Sequence, residues 1–234
     1  MYFTRFRMNP QKRGSVRLAS SPQRMHATVL SAFPPARTES PDGRVLWRLD
    51  TPSRHEWTLY VVSPARPSME QFQEECGWSQ EQSWESAEYA PFLDRLREGQ
   101  TWAFRLTANP VRSVAREHRT RGRVQPHVTV EQQQGWLVER APRLGFSIPD
   151  VAGASHGTDD EAPDSIPQVR VTRREQDSFG KGRIAERRTA TISRAQFDGV
   201  LEVNDPELLR TALTHGIGRA KAYGCGLMTL AHVP

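Results

Sequence analysis

Two parts of this sequence carry residues whose types and spacing suit chemistry. The first is His26, inside Pro22-Gln23-Arg24-Met25-His26. An imidazole titrates near neutrality and can give or take a proton. It is one of seven histidines, and taken bare a lone histidine is more often structural than catalytic. The second is Gly216-Ile217-Gly218-Arg219-Ala220-Lys221-Ala222-Tyr223-Gly224-Cys225-Gly226. Gly216, Gly218, Gly224 and Gly226 let backbone amides approach a ligand without interference from Cβ. Exposed amides together with Arg219 and Lys221 suit phosphate groups. The stretch lacks the Gly-Lys-Ser/Thr ending of a P-loop, and no strand precedes it as in a dinucleotide-binding loop. On spacing alone, a turn that serves only tight packing accounts for it equally well.

A third candidate is a long hairpin over 167–194, whose arms carry Arg170, Arg173, Arg174, Lys181, Arg183, Arg187 and Arg188. The bland alternative is an ordinary solvated strand pair. The arginine-rich stretch Arg112–Arg123 reads as a linker or exposed loop. Its charge either tracks a polyanion or is simply solvated.

The balance of the chain favours a polyanionic partner. Its 234 residues carry a net charge of +5, and three of the 32 cationic residues are lysine, which leaves 29 arginines. A basic surface points to nucleic acid first and an anionic membrane surface second. Arginine also grips phosphate with a planar fork. Two distant cysteines, Cys76 and Cys225, fit neither a disulfide framework nor a zinc ribbon. No apolar run approaches the roughly 18 residues of a membrane helix, and the first residues lack a signal-peptide core. The expectation is a soluble, cytoplasmic protein.

The elements that must position these residues can be read from periodicity. Residues 1–8 alternate as a strand, with Tyr2, Thr4 and Phe6 on one face. After a basic loop over 10–20, Ser21-Pro22 starts a helix as N-cap and first-turn proline. Met25, Val29 and Phe33 form its stripe, and Pro34 ends it. Strands are predicted at 44–49, 56–62 and 101–108, with helix and loop in the acidic segment 69–98. That order is βαββαβ, a ferredoxin-like unit. The second half repeats it: a strand near 127–130, a helix over 131–143, strands near 144–148 and 197–203, a helix over 205–215 and a strand at 226–231. A small, polar loop covers 153–165. The predicted class is α+β, with tandem ferredoxin-like domains over 1–110 and 126–234, a basic linker at 111–125, and the basic hairpin in the second domain.

Four segments carry a family resemblance. The glycine-rich loop resembles the C-terminal glycine loop of the RAMP superfamily of CRISPR proteins. Its version, followed by Leu227 and a short apolar strand, is similar to that of the CasE family. Met1-Tyr2-Phe3-Thr4 resembles that family's first strand. Phe104-Arg105-Leu106-Thr107-Ala108-Asn109-Pro110 resembles its Phe-Arg-Leu-x-Ala-Asn-Pro segment, and Phe197-Asp198-Gly199-Val200-Leu201 its Phe-x-Gly-x-Leu strand. The matches run in order along nearly the whole chain.

The resemblance implies metal-independent cleavage of CRISPR precursor RNA at the base of a repeat stem-loop, with the product retained in the Cascade complex. It implies no cofactor and no membrane partner. RNA supplies its own nucleophile, the 2′-hydroxyl, so the protein must accept that proton, protonate the departing 5′ oxygen and steady the charge on phosphorus. The family's catalytic histidine maps onto His26, as general acid. The family commonly has tyrosine three residues earlier, where this chain has Gln23, which can position but cannot act as a base. Some members carry a basic residue where this chain has Ala27, and Arg24 can take over that phosphate contact. The hairpin cations, with Arg219 and Lys221, are the implied RNA contacts. The competing readings are a non-catalytic RNA-binding subunit on the same fold and an unrelated enzyme using Cys225.

Overall fold

A computed structural model describes residues 1–34, 38–116, 119–151, 166–181 and 188–233. The chain divides into two compact units, one made of Met1–Leu96 with Arg210–Leu227, the other of Arg97–Leu209 with Met228–Pro234.

The first unit contains β1 (Tyr2–Met8), α1 (Arg13–Ala19), α2 (Pro22–Ser31), β2 (Glu39–Ser40), β3 (Gly43–Arg44), β4 (Leu46–Ser53), β5 (Glu56–Ser63), α3 (Glu70–Cys76), β6 (Trp84–Glu88) and α4 (Ala90–Leu93). Its main sheet runs β4-β5-β1-β6, with every neighbouring pair antiparallel. Strand alternation buries Thr4, Phe6 and Met8 and exposes Arg5 and Arg7. Helix α2 begins as its sequence dictates: the Ser21 hydroxyl accepts the Arg24 N–H at 3.4 Å and Pro22 opens the first turn. Met25 and Val29, four residues apart and therefore on one face, reach a core with Phe6, Leu18, Trp47, Leu59 and Phe72. The opposite face leaves Arg24 and Ala27 exposed.

The second unit contains β7 (Thr101–Ala108), β8 (Val111–Arg116), β9 (Arg119–Pro126), α5 (Val130–Val138), β10 (Phe146–Ser147), β11 (Val169–Lys181), β12 (Arg188–Val203) and β13 (Met228–Ala231), while α6 (Pro206–His215) begins in this unit and ends in the first. Its sheet runs β10-β12-β7-β13, with β11 paired along the free side of β12. Helix α5 carries a capping box in which Thr129 and Gln132 satisfy each other's backbone N–H groups.

Several expectations need correction. Strand 101–108 does not close the first sheet: β7 is central in the second, between β12 and β13. The strand that closes the first sheet is β6, inside the acidic segment expected to be helix and loop. As an edge strand it turns Glu85 and Glu88 outward and lacks the apolar alternation that marks a strand. Residues 10–20 are not all loop, because α1 buries Leu18 against the core. The described residues of the basic stretch, 112–116 and 119–123, lie in the antiparallel pair β8–β9 rather than in a linker, and β9 ends at Pro126, so no strand occupies 127–130. The hairpin's second arm and the strand predicted at 197–203 are one 16-residue strand, β12. Positions 110 and 126, the expected limits of the linker, both fall within the second unit. The predicted loop at 153–165 lies outside the described residues. Among the described residues no helix is long and apolar enough to cross a membrane.

Candidate active site

His26 sits in the middle of α2, half-buried. Burial, and then the positive charge of Arg44, hold its imidazole below its usual pKa. Trp47, on β4 and 2% exposed, donates its indole N–H to His26 Nδ1 at 3.3 Å. Gln23 stands one turn earlier on the same side of α2 and is partly buried, and Arg24 is exposed.

The glycine-rich loop belongs to the same unit. Helix α6 ends with the Gly216 N–H donating to the Ala212 carbonyl at 3.0 Å. All four glycines have left-handed backbones, with φ of 79°, 77°, 78° and 92° at 216, 218, 224 and 226, and Ala220 shares that region at 63°. Between them Lys221–Tyr223 make one turn of 3₁₀ helix. The loop closes through the Ile217 N–H, which donates to the Gly226 carbonyl at 2.9 Å. Gly224 is constrained in a second way: a Cβ there would lie 2.7 Å from the six-membered ring of Trp47. Trp47 therefore touches the imidazole with one end and the glycine loop with the other.

Lys221, partly buried, lies within electrostatic reach of Arg44, the same side chain that acts on His26. Burial lowers its pKa, the Arg44 charge lowers it further, and Glu39 opposes the shift. Arg44 forms a 3.6 Å pair with Glu39 that remains exposed. The first unit thus gathers His26, Lys221, Arg44 and Trp47, with Arg219 exposed at the loop's rim. Beneath them Arg48 makes a bidentate pair with Asp50 at 2.7 and 3.0 Å and donates to the Leu227 carbonyl at 3.1 Å, which ties β4 to the end of the loop.

Sequence reasoning missed Arg44 and Trp47. Both lie in the predicted strand 44–49, where Trp47 reads as one more apolar core residue and Arg44 as one of 29 arginines. The usable signal was chemical, since a buried indole N–H needs an acceptor. Cys225 is fully buried, as is Cys76, and neither offers an accessible nucleophile.

The hairpin cations lie in the second unit. Arg170, Arg173 and Arg174 are exposed on β11. Arg173 pairs with Glu175 at 2.5 Å, and Arg174 donates to the Val128 carbonyl at 3.1 Å. Arg194, not anticipated, pairs with Glu175 at 2.8 Å and Asp177 at 2.7 Å, so this arm carries its own counter-charges. Lys181 and Arg188 occupy the facing ends of β11 and β12. Arg183 and Arg187 lie outside the described residues. Among the described residues no group of three or more His, Cys, Asp or Glu side chains is arranged to hold a metal ion.

A family model described as "CRISPR associated protein" matches residues 1–232. The chain belongs to that family. Among curated CRISPR-associated proteins it is 29% identical to the CRISPR-associated endoribonuclease Cse3 of Thermus thermophilus, over 99% of this chain and 100% of that one. It is 27% identical to the CRISPR system Cascade subunit CasE of Escherichia coli, over 58% of this chain and 61% of that one. Its fold is similar to a solved structure of the CRISPR endoribonuclease Cse3 bound to a 19 nt RNA, with a TM-score of 0.74 and 27% identity over 98% of both chains.

Proposed function

We propose that this protein is an endoribonuclease that cuts CRISPR precursor RNA at the base of the repeat stem-loop and retains the product as a Cascade subunit. The observation that carries this reading is the grouping of His26, Lys221 and Arg44 beside the glycine-rich loop, in a chain similar throughout its length to a CRISPR-associated endoribonuclease. Partnership with RNA and with Cascade is supported by the RNA-bound Cse3 structure and by the CasE relative.

The chemistry follows from the residues. The 2′-oxygen of the scissile nucleotide attacks phosphorus, forming the P–O2′ bond as the P–O5′ bond breaks. His26, protonated, gives its proton to the departing 5′ oxygen, and water carries away the 2′ proton. Lys221 and Arg44 offset the charge that grows on the phosphoryl oxygens. The products are a 2′,3′-cyclic phosphate and a 5′-hydroxyl. Because the nucleophile is internal to the RNA, correct placement of that hydroxyl supplies much of the rate, and Gln23 is suited to hold it by hydrogen bonding. The hairpin β11–β12 engages the stem through Arg170, Arg173, Arg174, Lys181 and Arg188, together with Arg183 and Arg187. An A-form groove is read chiefly by shape and phosphate contacts.

Reading both sheets as ferredoxin-like units in tandem is supported by their common strand order: in each, the second strand of a βαββαβ series lies outermost, followed by the third, first and fourth. Gln23 favours one alternative, a subunit that binds the repeat without cutting it. Incubating the protein with a cognate repeat hairpin in EDTA and identifying the product ends separates the two. Cyclic phosphate and 5′-hydroxyl ends that disappear with a 2′-deoxy scissile nucleotide are expected. An all-RNA hairpin left intact at high protein concentration would establish the binding-only reading.

A further inference from the structure

We propose that Trp47 is a positioning residue: its indole N–H holds His26 in the tautomer that carries its proton on Nε2, and its benzenoid ring seats the glycine loop at Gly224. The catalytic consequence rests on the function proposed above, but the tautomer assignment does not.

An indole nitrogen can only donate. At 3.3 Å from Trp47 Nε1, His26 Nδ1 therefore presents its lone pair, and the neutral ring's single proton sits on Nε2. The contact is held from both sides. Trp47 is 2% exposed, and Gly224 lies so near that an added Cβ would stand 2.7 and 2.9 Å from Cζ3 and Cη2 of the ring. A phenylalanine would fill much of the same apolar space but could not donate, so the choice of tryptophan has a polar consequence.

The indole also sets a condition on protonation. The imidazolium carries N–H on both nitrogens and forms only by giving up the bond from Trp47. The charged and titratable groups on neighbouring elements are Glu39 and Arg44 on β2 and β3, the mutually paired Arg48 and Asp50 on β4, Arg219, Lys221, Tyr223 and the buried Cys225 on the loop, and Arg13 and Arg17 on α1, with Arg17 paired to Glu75. Of these it is Arg44 that acts on His26, in the same sense as the indole. A bound phosphodiester acts in the opposite sense, because its negative charge favours the imidazolium. Trp47 thus keeps the acid discharged in the free protein and lets the substrate charge it.

The test is ¹⁵N correlation spectroscopy of the His26 ring across a pH titration of the free protein, in the parent and in Trp47→Phe. In the parent, above the titration midpoint, Nδ1 is expected as the bare nitrogen and Nε2 as the protonated one. In Trp47→Phe the two tautomers should mix, and the midpoint should rise by roughly half to one pH unit, the equivalent of one hydrogen bond. If the Trp47→Phe substitution unfolds the protein, benzothienylalanine at position 47, which replaces the indole N–H with sulfur in the same ring frame, gives the same readouts. A parent with its proton on Nδ1, or a variant with unchanged tautomer and midpoint, would overturn the proposal. None of these readouts uses RNA, so failure to cleave would count against the nuclease reading and leave the tautomer assignment standing.

Discussion

The guanidinium of Arg48 reaches the carbonyl oxygen of Leu227, 179 residues away in sequence and 3.1 Å away in space. The same side chain is 2% exposed, pairs with Asp50 through two hydrogen bonds and lies 5.2 Å from the centre of the Tyr60 ring. Removing one member of a buried ion pair strands the other charge away from water. Arg48→Ala is therefore expected to cost about 3–5 kcal/mol, read from the shift of a urea denaturation midpoint. Replacing Arg48 and Asp50 together by apolar residues of similar volume should cost less than Arg48→Ala alone.

His26→Ala should lower single-turnover cleavage of a repeat hairpin by roughly 10²–10⁴, the range associated with loss of a proton-transfer group. Affinity for the same RNA should stay within a few fold, because the proposed phosphate contacts are assigned to other residues. Filter binding and gel-resolved cleavage of one substrate measure both quantities.

The lowered pKa of His26 fixes the sign of two pH effects. In the role of general acid proposed for it the ring must be protonated, so in the free protein that form is lost as pH rises through a midpoint below the usual 6.5. For stability the sense is reversed. Between the folded midpoint and 6.5 the unfolded chain binds more protons, so folding weakens as pH falls through that interval and is unaffected above it. Arg44→Ala should raise the midpoint, measured by NMR titration, and narrow the interval.

Gly224→Ala combines two penalties. A left-handed backbone at φ 78° costs an L-residue roughly 1–2 kcal/mol, and the new methyl would lie 2.7 Å from the Trp47 ring. The expected result is a destabilisation of at least that size. The Trp47–His26 bond should also be displaced, visible as a change in the His26 ring ¹⁵N shifts.

Burial pushes the Cys76 thiol up to about 11. At pH 8 only on the order of one thiol in a thousand is then ionised, so native protein should resist iodoacetamide at this position and react once unfolded. Peptide mass mapping before and after denaturation reads the difference.

Much of the first unit was legible because its signals are local. Ser21-Pro22 marks a helix start, Met25 and Val29 mark its buried face, and the alternation of residues 1–8 marks a strand. The four glycines of the loop announced backbone freedom, and all four use it. What escaped was what depends on distant chain. β6 is held as a strand by β1, not by its own propensity, and β7 alternates equally well in either sheet until β12 and β13 are there to pair with it. Arg44 and Trp47 escaped for a similar reason. Nothing in their immediate neighbours says that an arginine will bias an imidazole or that an indole N–H will meet one.

The course of the backbone has a consequence for when this protein can act. The chain leaves its first unit at Leu96, builds most of the second, and returns through Arg210–Leu227 to supply Lys221 and the glycine-rich loop. A nascent chain that has made His26, Trp47 and Arg44 still lacks that loop until the ribosome has passed residue 226. Any segment shorter than that would hold His26 without Lys221 and the glycine loop, so the proposed site is completed only after the arginine-bearing hairpin has been synthesised.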